Sequence, residues 1–115
     1  MRRFAIQSTI AAGTYLARFL GVEDTNHVEY GPGVRFVFEI LEGLAAGRRV
    51  SRVTSTRPTP HNSAGRILAG LVGRHLAGGE LVDVDVYVGM TYRIDVESTA
   101  AGVTRVEAVY STNPQ

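Results

Sequence analysis

The sequence predicts a mostly-β domain with a single helix, in the element order β-β-β-α-β-β. Alternation of apolar and polar residues with period two marks the strands, and residues 34–42 alternate most clearly. Apolar residues at helical spacing mark one helix within residues 64–76. A single helix excludes a doubly wound α/β sheet, because each pair of neighbouring parallel strands in such a sheet needs its own crossover.

The first predicted strand covers residues 14–23 and the second covers residues 34–42. Between them, the glycines and proline of Tyr30-Gly31-Pro32-Gly33 interrupt regular structure, which predicts a loop of about nine residues. Successive side chains in a strand point to opposite faces. In the second strand the expected inward set is Val34, Phe36, Phe38 and Ile40, and the outward set is Arg35, Val37 and Glu39.

The third predicted strand covers residues 48–57. It ends at Pro58-Thr59-Pro60, because neither proline can donate to a β-ladder. Val50 and Val53 have opposite parity within it, which indicates either a β-bulge or partial cover on both faces.

The predicted helix is capped by Asn62 or Ser63 and ended by Gly78-Gly79. Three glycines inside it each weaken a helix by about 1 kcal/mol relative to alanine. We therefore expect the helix to lie very close to a sheet or to the end of a barrel. The glycines are Gly65, Gly70 and Gly73, and the apolar stripe is Ala64, Ile67, Leu68, Leu71, Val72 and Leu76.

Two further strands are expected after the helix. Residues 80–89 alternate acidic and apolar side chains, and we interpret them as an irregular crossover rather than a strand. Residues 91–97 alternate cleanly, with Tyr92, Ile94 and Val96 expected inward. After a turn at residues 100–102, a hairpin partner is predicted over residues 103–110. Its expected shared face is Val106, Ala108 and Tyr110.

The composition describes one small domain. The chain has 115 residues, with 12 arginines, no lysine, 11 acidic residues and a formal net charge of +1. We place the domain at residues 13–112, after a flexible leader or a short N-terminal helix at 1–12 and before a tail at 113–115. Cysteine is absent, which excludes disulfides, thiolate metal sites and a cysteine nucleophile. No apolar run is long enough for a signal peptide or a membrane span, so a cytoplasmic protein without membrane contact is expected.

Charge is unevenly distributed along the chain. Residues 1–75 carry a net charge of +5 and residues 76–115 carry −4, and residues 43–75 contain six arginines and no acidic residue. Such local bias can create a basic face on a nearly neutral protein. The exclusive use of arginine fits phosphate recognition, although a compositional bias of the genome would produce the same count.

The element order is that of the five-stranded Greek-key barrel called the OB-fold, whose helix closes one end of the barrel. We therefore predict an all-β fold with one helix, a five-stranded OB-fold Greek-key barrel. The alternatives are another small half-open barrel and an α+β meander.

Several segments carry a resemblance to a known group of proteins. They are Tyr15-Leu-Ala-Arg-Phe, Tyr30-Gly-Pro-Gly-Val-Arg-Phe-Val-Phe-Glu-Ile, Glu42-Gly43, Gly47-Arg-Arg-Val-Ser, Gly70-Leu-Val-Gly-Arg, Val82-Asp83 and Tyr87-Val-Gly. Across residues 13–110 the chain resembles small phage and bacterial OB-like proteins of single-stranded-DNA-binding type. The resemblance implies a binder of single-stranded nucleic acid that acts in replication or recombination. It rests on glycines in turns and aromatic residues in strands more than on residues with a chemical role.

OB-fold proteins commonly bind nucleic acid on the face of strands two and three and on adjacent loops. In this chain the expected binding residues are Tyr30, Arg35, Arg48, Arg49, Arg52, Arg57 and Arg66. Tyr30 would stack on a base, and the outward Val37 would lie beneath one. The alternative is that the arginines are ordinary solvated residues that pair with Glu39 or Glu42 across the sheet.

The segment 57–62 joins a basic strand to a helix N-terminus, where free backbone N–H groups attract anions. It would therefore hold a phosphate, or it is a rigid connector in which His61 and Asn62 cap the helix.

Motifs for catalysis are lacking, so we expect a protein that is not an enzyme and uses no cofactor or metal. His27, His61 and His75 lack the spacing of metal ligands. Gly65 and Gly70 have the spacing of a phosphate-binding loop, but Leu71 stands where that motif has lysine. No nucleophile elbow is present, and Asp83 and Asp85 fit solvated acids better than a catalytic pair.

A second functional class remains open. The same fold can serve as an assembly module, in which the acidic segment 80–85, with its interleaved valines, contacts a protein partner or a second copy of the chain. A homo-oligomer is compatible with either function.

Overall fold

The computed structural model describes residues 2–3, 10–100 and 102–112 of the chain. The predicted tail at 113–115, and residues 1 and 4–9 of the predicted leader, lie outside the described residues. Within the described residues the secondary structure is five strands, one α-helix and one 3-10 helix. They are β1 (Gly13–His27), β2 (Gly31–Ile40), β3 (Arg49–Thr54), α1 (Ser63–Val72), the 3-10 helix (Val84–Tyr87), β4 (Thr91–Ser98) and β5 (Thr104–Ser111).

The five strands form one antiparallel sheet in the order β3-β2-β1-β4-β5. The long strand β1 lies at its centre, because its first part pairs with β4 and its later part with β2. A β-bulge at Leu20 separates the ladder pairs Phe19–Phe38 and Gly21–Val37 and bends the strand. No ladder joins the edge strands β3 and β5 in the described residues, so the sheet is open. The prediction of a mostly-β fold with one helix is confirmed.

The apolar core lies between the inner face of the sheet and α1. Phe19 and Phe38 pack at its centre with ring centroids 5.3 Å apart. The inward parity expected for β2 and β4 is confirmed, because Phe36, Phe38, Ile40, Tyr92, Ile94 and Val96 are all buried. Ile10, within the predicted leader, is also buried and packs against this core.

The helix begins and ends with side-chain and backbone caps. Asn62 Oδ1 accepts a hydrogen bond from the Gly65 N–H at 2.9 Å, which confirms the predicted N-cap. The predicted end at Gly78-Gly79 is wrong, since Gly73 adopts the left-handed conformation and donates to the Ala69 carbonyl. That conformation costs least in glycine, so the first suitable glycine ends the helix.

The close approach to the sheet that the helical glycines predict is confirmed at Gly70. A Cβ on Gly70 would lie 2.2 Å from the Val109 carbonyl oxygen of β5, and one on Gly65 would lie 1.6 Å from the Thr59 carbonyl oxygen. Both neighbours are backbone atoms, so α1 can lie against β5 only with glycine at position 70, and against the connector before the helix only with glycine at position 65.

The predicted nine-residue loop between the first two strands is wrong. β1 continues to His27 and β2 begins at Gly31, so a hairpin whose turn is residues 28–30 replaces the loop. Gly31-Pro32-Gly33 pairs with residues 25–27, because proline is tolerated in a strand where no ladder donor is required. The hairpin is therefore longer than the hydrophobic pattern indicates.

Three further observations concern the segments that follow β2. β3 ends at Thr54 and its ladder with β2 has no bulge, so Val53 is simply exposed on the outer face. The crossover interpretation of residues 80–89 is confirmed, since they contain only the 3-10 helix. In β5 the ladder skips Glu107, and this bulge turns Ala108 and Tyr110 away from the core face of Val106, contrary to the predicted shared face.

Candidate functional site

Two of the predicted arginines lie together on the outer face, the side of β1–β3 opposite the core. Glu39 pairs with Arg49 in the β2–β3 ladder, so Arg49 shares a face with Glu39 and Arg35. Arg35, Arg49 and Ser51 line an open, shallow pocket of about 280 Å³ with Glu23, Val37 and Val50. The outer face therefore has a concavity with a guanidinium group on each side.

Val37 lies in this concavity and is not exposed as its parity predicts. Only 6% of its surface is accessible, although it does not belong to the core cluster. Its cross-strand neighbours are Gly21, which has no side chain, and Ser51. Val37 forms an apolar floor, and a base in contact with it would have to enter the pocket.

Arg18 belongs to the same surface and was not predicted. In the ladder it faces Glu39, and its Nη1 lies 3.4 Å from the Glu39 Oε1. Arg18 of β1, Glu39 of β2 and Arg49 of β3 therefore form one row of side chains across the sheet. Parity within β1 places Arg18 outward, but its alignment with Glu39 depends on the β1–β2 register, which the bulge and the hairpin turn determine.

Carboxylates accompany most of the arginines on this face. Arg35 Nη1 lies 3.6 Å from Glu23 Oε2, and Arg93 Nη1 lies 3.3 Å from Glu42 Oε1. Pairing between arginine and glutamate, the alternative considered from the sequence, is present with other partners: Arg35 pairs with Glu23, while Glu39 pairs with Arg18 and Glu42 pairs with Arg93 of β4, neither of which is a predicted binding residue. Arg49 is different, since its guanidinium has no hydrogen bond or ion pair with any described residue.

Arg52 points to the inner side of the sheet, because its ladder partner is the buried Phe36. Its Nη1 donates to the Val106 carbonyl at 3.1 Å and lies 3.3 Å from Glu107 Oε2, and its Nη2 donates to Ser63 Oγ at 3.0 Å. Its side chain is only 14% exposed. Arg52 thus connects β3, β5 and the start of α1, away from Arg35 and Arg49.

The other predicted residues lie at separate places. Tyr30 is in the β1–β2 turn and 82% exposed, with its ring centroid 4.8 Å from that of His27. Arg48 lies in the turn before β3, where its N–H donates to the Ala45 carbonyl. Arg57 is exposed in the connector before α1, and Arg66 is exposed on α1, where its Nε donates to the His61 carbonyl.

The connector 57–62 is held by its own hydrogen bonds. Asn62 Oδ1 accepts from the Thr59 N–H at 3.0 Å as well as from Gly65, and Asn62 Nδ2 donates to the Arg57 carbonyl at 2.9 Å. These contacts are those of the rigid capping connector, one of the two alternatives for this segment.

Ionisable groups on the β4–β5 side have shifted pKa values. The Arg105 guanidinium beside Glu97 lowers the pKa of that carboxyl. Asp95 accepts a hydrogen bond from the Tyr110 hydroxyl at 3.0 Å, and this bond, together with the negative charge of Asp95, raises the pKa of Tyr110. These contacts are salt bridges and hydrogen bonds between neighbouring strands, outside the concavity.

Across residues 2–3, 10–100 and 102–112, no group of three His, Asp or Glu side chains is placed to hold a metal ion. Over the same residues no helix has the length and apolarity to cross a membrane. No protein-family model matches the sequence, and no curated protein is significantly similar to it.

Proposed function

We propose that the chain is a non-catalytic OB-type domain that binds single-stranded nucleic acid on the outer face of β1–β3. The main support for this proposal is the concavity over Val37, which lies between Arg35 and Arg49. An apolar floor between guanidinium groups suits a strand that presents both bases and phosphates.

The sheet order supports the OB part of this proposal. In an OB barrel, β1 lies between β2 and β4, and the helix between β3 and β4 covers one end. This chain has that order, and Arg52 contacts β5 from β3 where a ladder would close the barrel. We therefore propose a half-open barrel in which side-chain contacts join β3 to β5 in place of a backbone ladder.

The hairpin turn gives the proposed surface a second contact. Tyr30 and His27 place two rings near each other at the end of the β1–β2 hairpin, and Tyr30 is well exposed. Stacking of one base on an aromatic ring contributes about 1–3 kcal/mol. We propose that the bound nucleic-acid strand passes from the concavity to this turn.

The test is fluorescence anisotropy with a labelled oligo-dT at low and at high salt. We expect binding at low salt that weakens steeply as salt increases, because bound phosphates displace counterions. Replacement of both Arg35 and Arg49 by glutamine should lower affinity at least about tenfold, the effect of losing two phosphate contacts. The control is Arg74→Gln, since Arg74 pairs with Glu80 in the segment after α1.

Failure of the native protein to bind at low salt would overturn the proposed function. Binding that survives in the double variant would leave the function and overturn the proposed surface.

Self-association is the second candidate, supported by an exposed apolar segment. Val86, Val88 and Met90 lie on the crossover and are 60%, 45% and 44% exposed. A second copy of the chain would bury them. Light scattering should then show a defined oligomer that Val86→Ser dissociates, and a monomer at all concentrations would exclude this candidate.

A further inference from the structure

Two of the arginines on the outer face are already paired with carboxylates. Arg18 contacts Glu39, and Arg35 contacts Glu23. In each pair both side chains are between 31% and 55% exposed, so solvent reaches them and the pairs can exchange partners. Exposed pairs of this kind are weak, typically about 0–1 kcal/mol.

Glu39 has the more influential position of the two carboxylates. It lies between Arg18 and Arg49 in a single cross-strand row, and directly opposed residues have Cβ atoms about 4.5–5.5 Å apart. A phosphate held by Arg49 at the edge of the concavity would therefore lie close to the Glu39 carboxylate. Glu23 stands in the same relation to Arg35, because the two residues are directly opposed in the β1–β2 ladder.

We infer that Glu23 and Glu39 are internal competitors of the ligand, which occupy or screen the arginines that a nucleic-acid phosphate would contact. The inference rests on the proposed function and concerns how that function is limited. A phosphate that binds must displace the carboxylate from its arginine. It then lies close to the negative charge of that carboxylate, which repels it. Both effects weaken binding of any polyanion to this face.

The two carboxylates reduce the positive charge of the outer face. Residues 1–75 carry a large positive excess, yet the outward charged residues Arg18, Glu23, Arg35, Glu39 and Arg49 sum to only one positive charge. The carboxylates keep affinity low enough for a bound strand to be released, and they make binding depend on contacts besides charge.

The test compares Glu23→Gln and Glu39→Gln with the native protein for binding of a labelled oligo-dT at low salt. Glutamine keeps the size of glutamate and one acceptor oxygen, and removes its charge. We expect each variant to bind about fivefold more tightly, the factor for one unit-charge interaction near 4 Å in water. The gain should shrink at high salt, where charges are screened.

Two controls separate this local effect from the general change in net charge. Glu80→Gln makes the same change in charge but releases Arg74, which lies outside the concavity. Its affinity should stay close to that of the native protein. Glu39→Asp keeps the charge and should not bind more tightly, and thermal melting of every variant establishes that the fold is retained.

The outcomes distinguish the two proposals. If the native protein binds, and Glu23→Gln and Glu39→Gln bind no better than Glu80→Gln, the inference is overturned and the proposed function stands. If neither the native protein nor any variant binds, the proposed function fails. If the native protein binds and Glu23→Gln or Glu39→Gln binds more tightly than Glu80→Gln, the carboxylates are competitors as inferred.

Discussion

Arg52 Nη1 donates a hydrogen bond of 3.1 Å to the carbonyl oxygen of Val106, and this bond joins the two edge strands of the sheet. The same guanidinium reaches Ser63 at the start of α1 and Glu107 beside Val106. One side chain therefore connects three elements that no backbone ladder joins. A long cation with a planar fork of donors is suited to this position, whereas lysine would offer a single donor group.

Replacement of Arg52 by methionine should destabilise the fold. The Val106 carbonyl and the Ser63 hydroxyl would both lose a partner in a half-buried setting, at a cost of about 1–3 kcal/mol. Urea unfolding measures the change. The matched control is Arg49→Met on the exposed side of the same strand, which should change stability by less than about 0.5 kcal/mol. Equal effects at the two positions would contradict a joining role for Arg52.

Gly70→Ala should destabilise the protein although alanine favours helices. The gain in helix propensity is about 1 kcal/mol. The added methyl group would lie 2.2 Å from the Val109 carbonyl oxygen, which is backbone and cannot rotate away. Overpacking of this kind costs about 1–3 kcal/mol, and we expect it to outweigh the propensity.

Gly78→Ala is the control for that substitution, since nothing lies within 4 Å of its added Cβ. Thermal unfolding should show a lower melting temperature for Gly70→Ala and little change for Gly78→Ala. A melting temperature for Gly70→Ala at or above that of the native protein would show that α1 can move away from β5 without loss.

Tyr92 links the stability of the fold to alkaline pH. Its hydroxyl donates to the Leu71 carbonyl at 2.7 Å, and burial raises its pKa from 10.0 to about 12. A group whose pKa is raised by folding contributes stability below its unfolded pKa and loses it above. The contribution should therefore be complete below pH 10.0 and disappear as the pH rises towards about 12.

Tyr92→Phe tests this relationship. At neutral pH the variant should lose about 1 kcal/mol, the usual net value of one buried hydrogen bond. Its stability relative to the native protein should improve above pH 10.0, because phenylalanine does not ionise. Chemical unfolding at a series of pH values measures the difference, which would stay constant with pH if ionisation of Tyr92 did not matter.

Glu97 makes the opposite prediction at acid pH. Its contact with Arg105 lowers its pKa from the ordinary value of 4.5, so its contribution to stability is present above pH 4.5 and is lost as the pH falls below it. The difference in stability between the native protein and Glu97→Gln should be measurable at neutral pH and shrink at about pH 3. A difference that grows on acidification would contradict the assigned direction.

Local pattern was sufficient for much of the fold. Alternation along β2 and β4 identified which side chains face the core, since the pleat of a strand enforces period two. The N-cap at Asn62 and the need for glycine in α1 also followed from local chemistry. The sequence did not identify Gly73 as the end of the helix, because several glycines follow one another there and only the folded backbone selects the one that ends it.

The candidate site was predictable only in part, as the positions of three arginines show. Arg35 and Arg49 have outward parity and lie on the outer face. Arg52 is three residues from Arg49 in a strand without a bulge, so the pleat places the two on opposite faces, and the β2–β3 ladder turns Arg52 inward towards β5. A single position of register decides the face of a side chain, and composition carries no information about register.

The sequence by itself determined the element order, the inward sets of β2 and β4, and the reason for glycine at position 70. These follow from backbone geometry and hydrophobic periodicity, which act over a few residues. Only the tertiary structure decided that Glu23 and Glu39 stand beside arginines and that Arg52 joins the sheet edges. Those relationships depend on bulges, hairpin register and long-range packing, in which residues far apart along the chain are brought into contact.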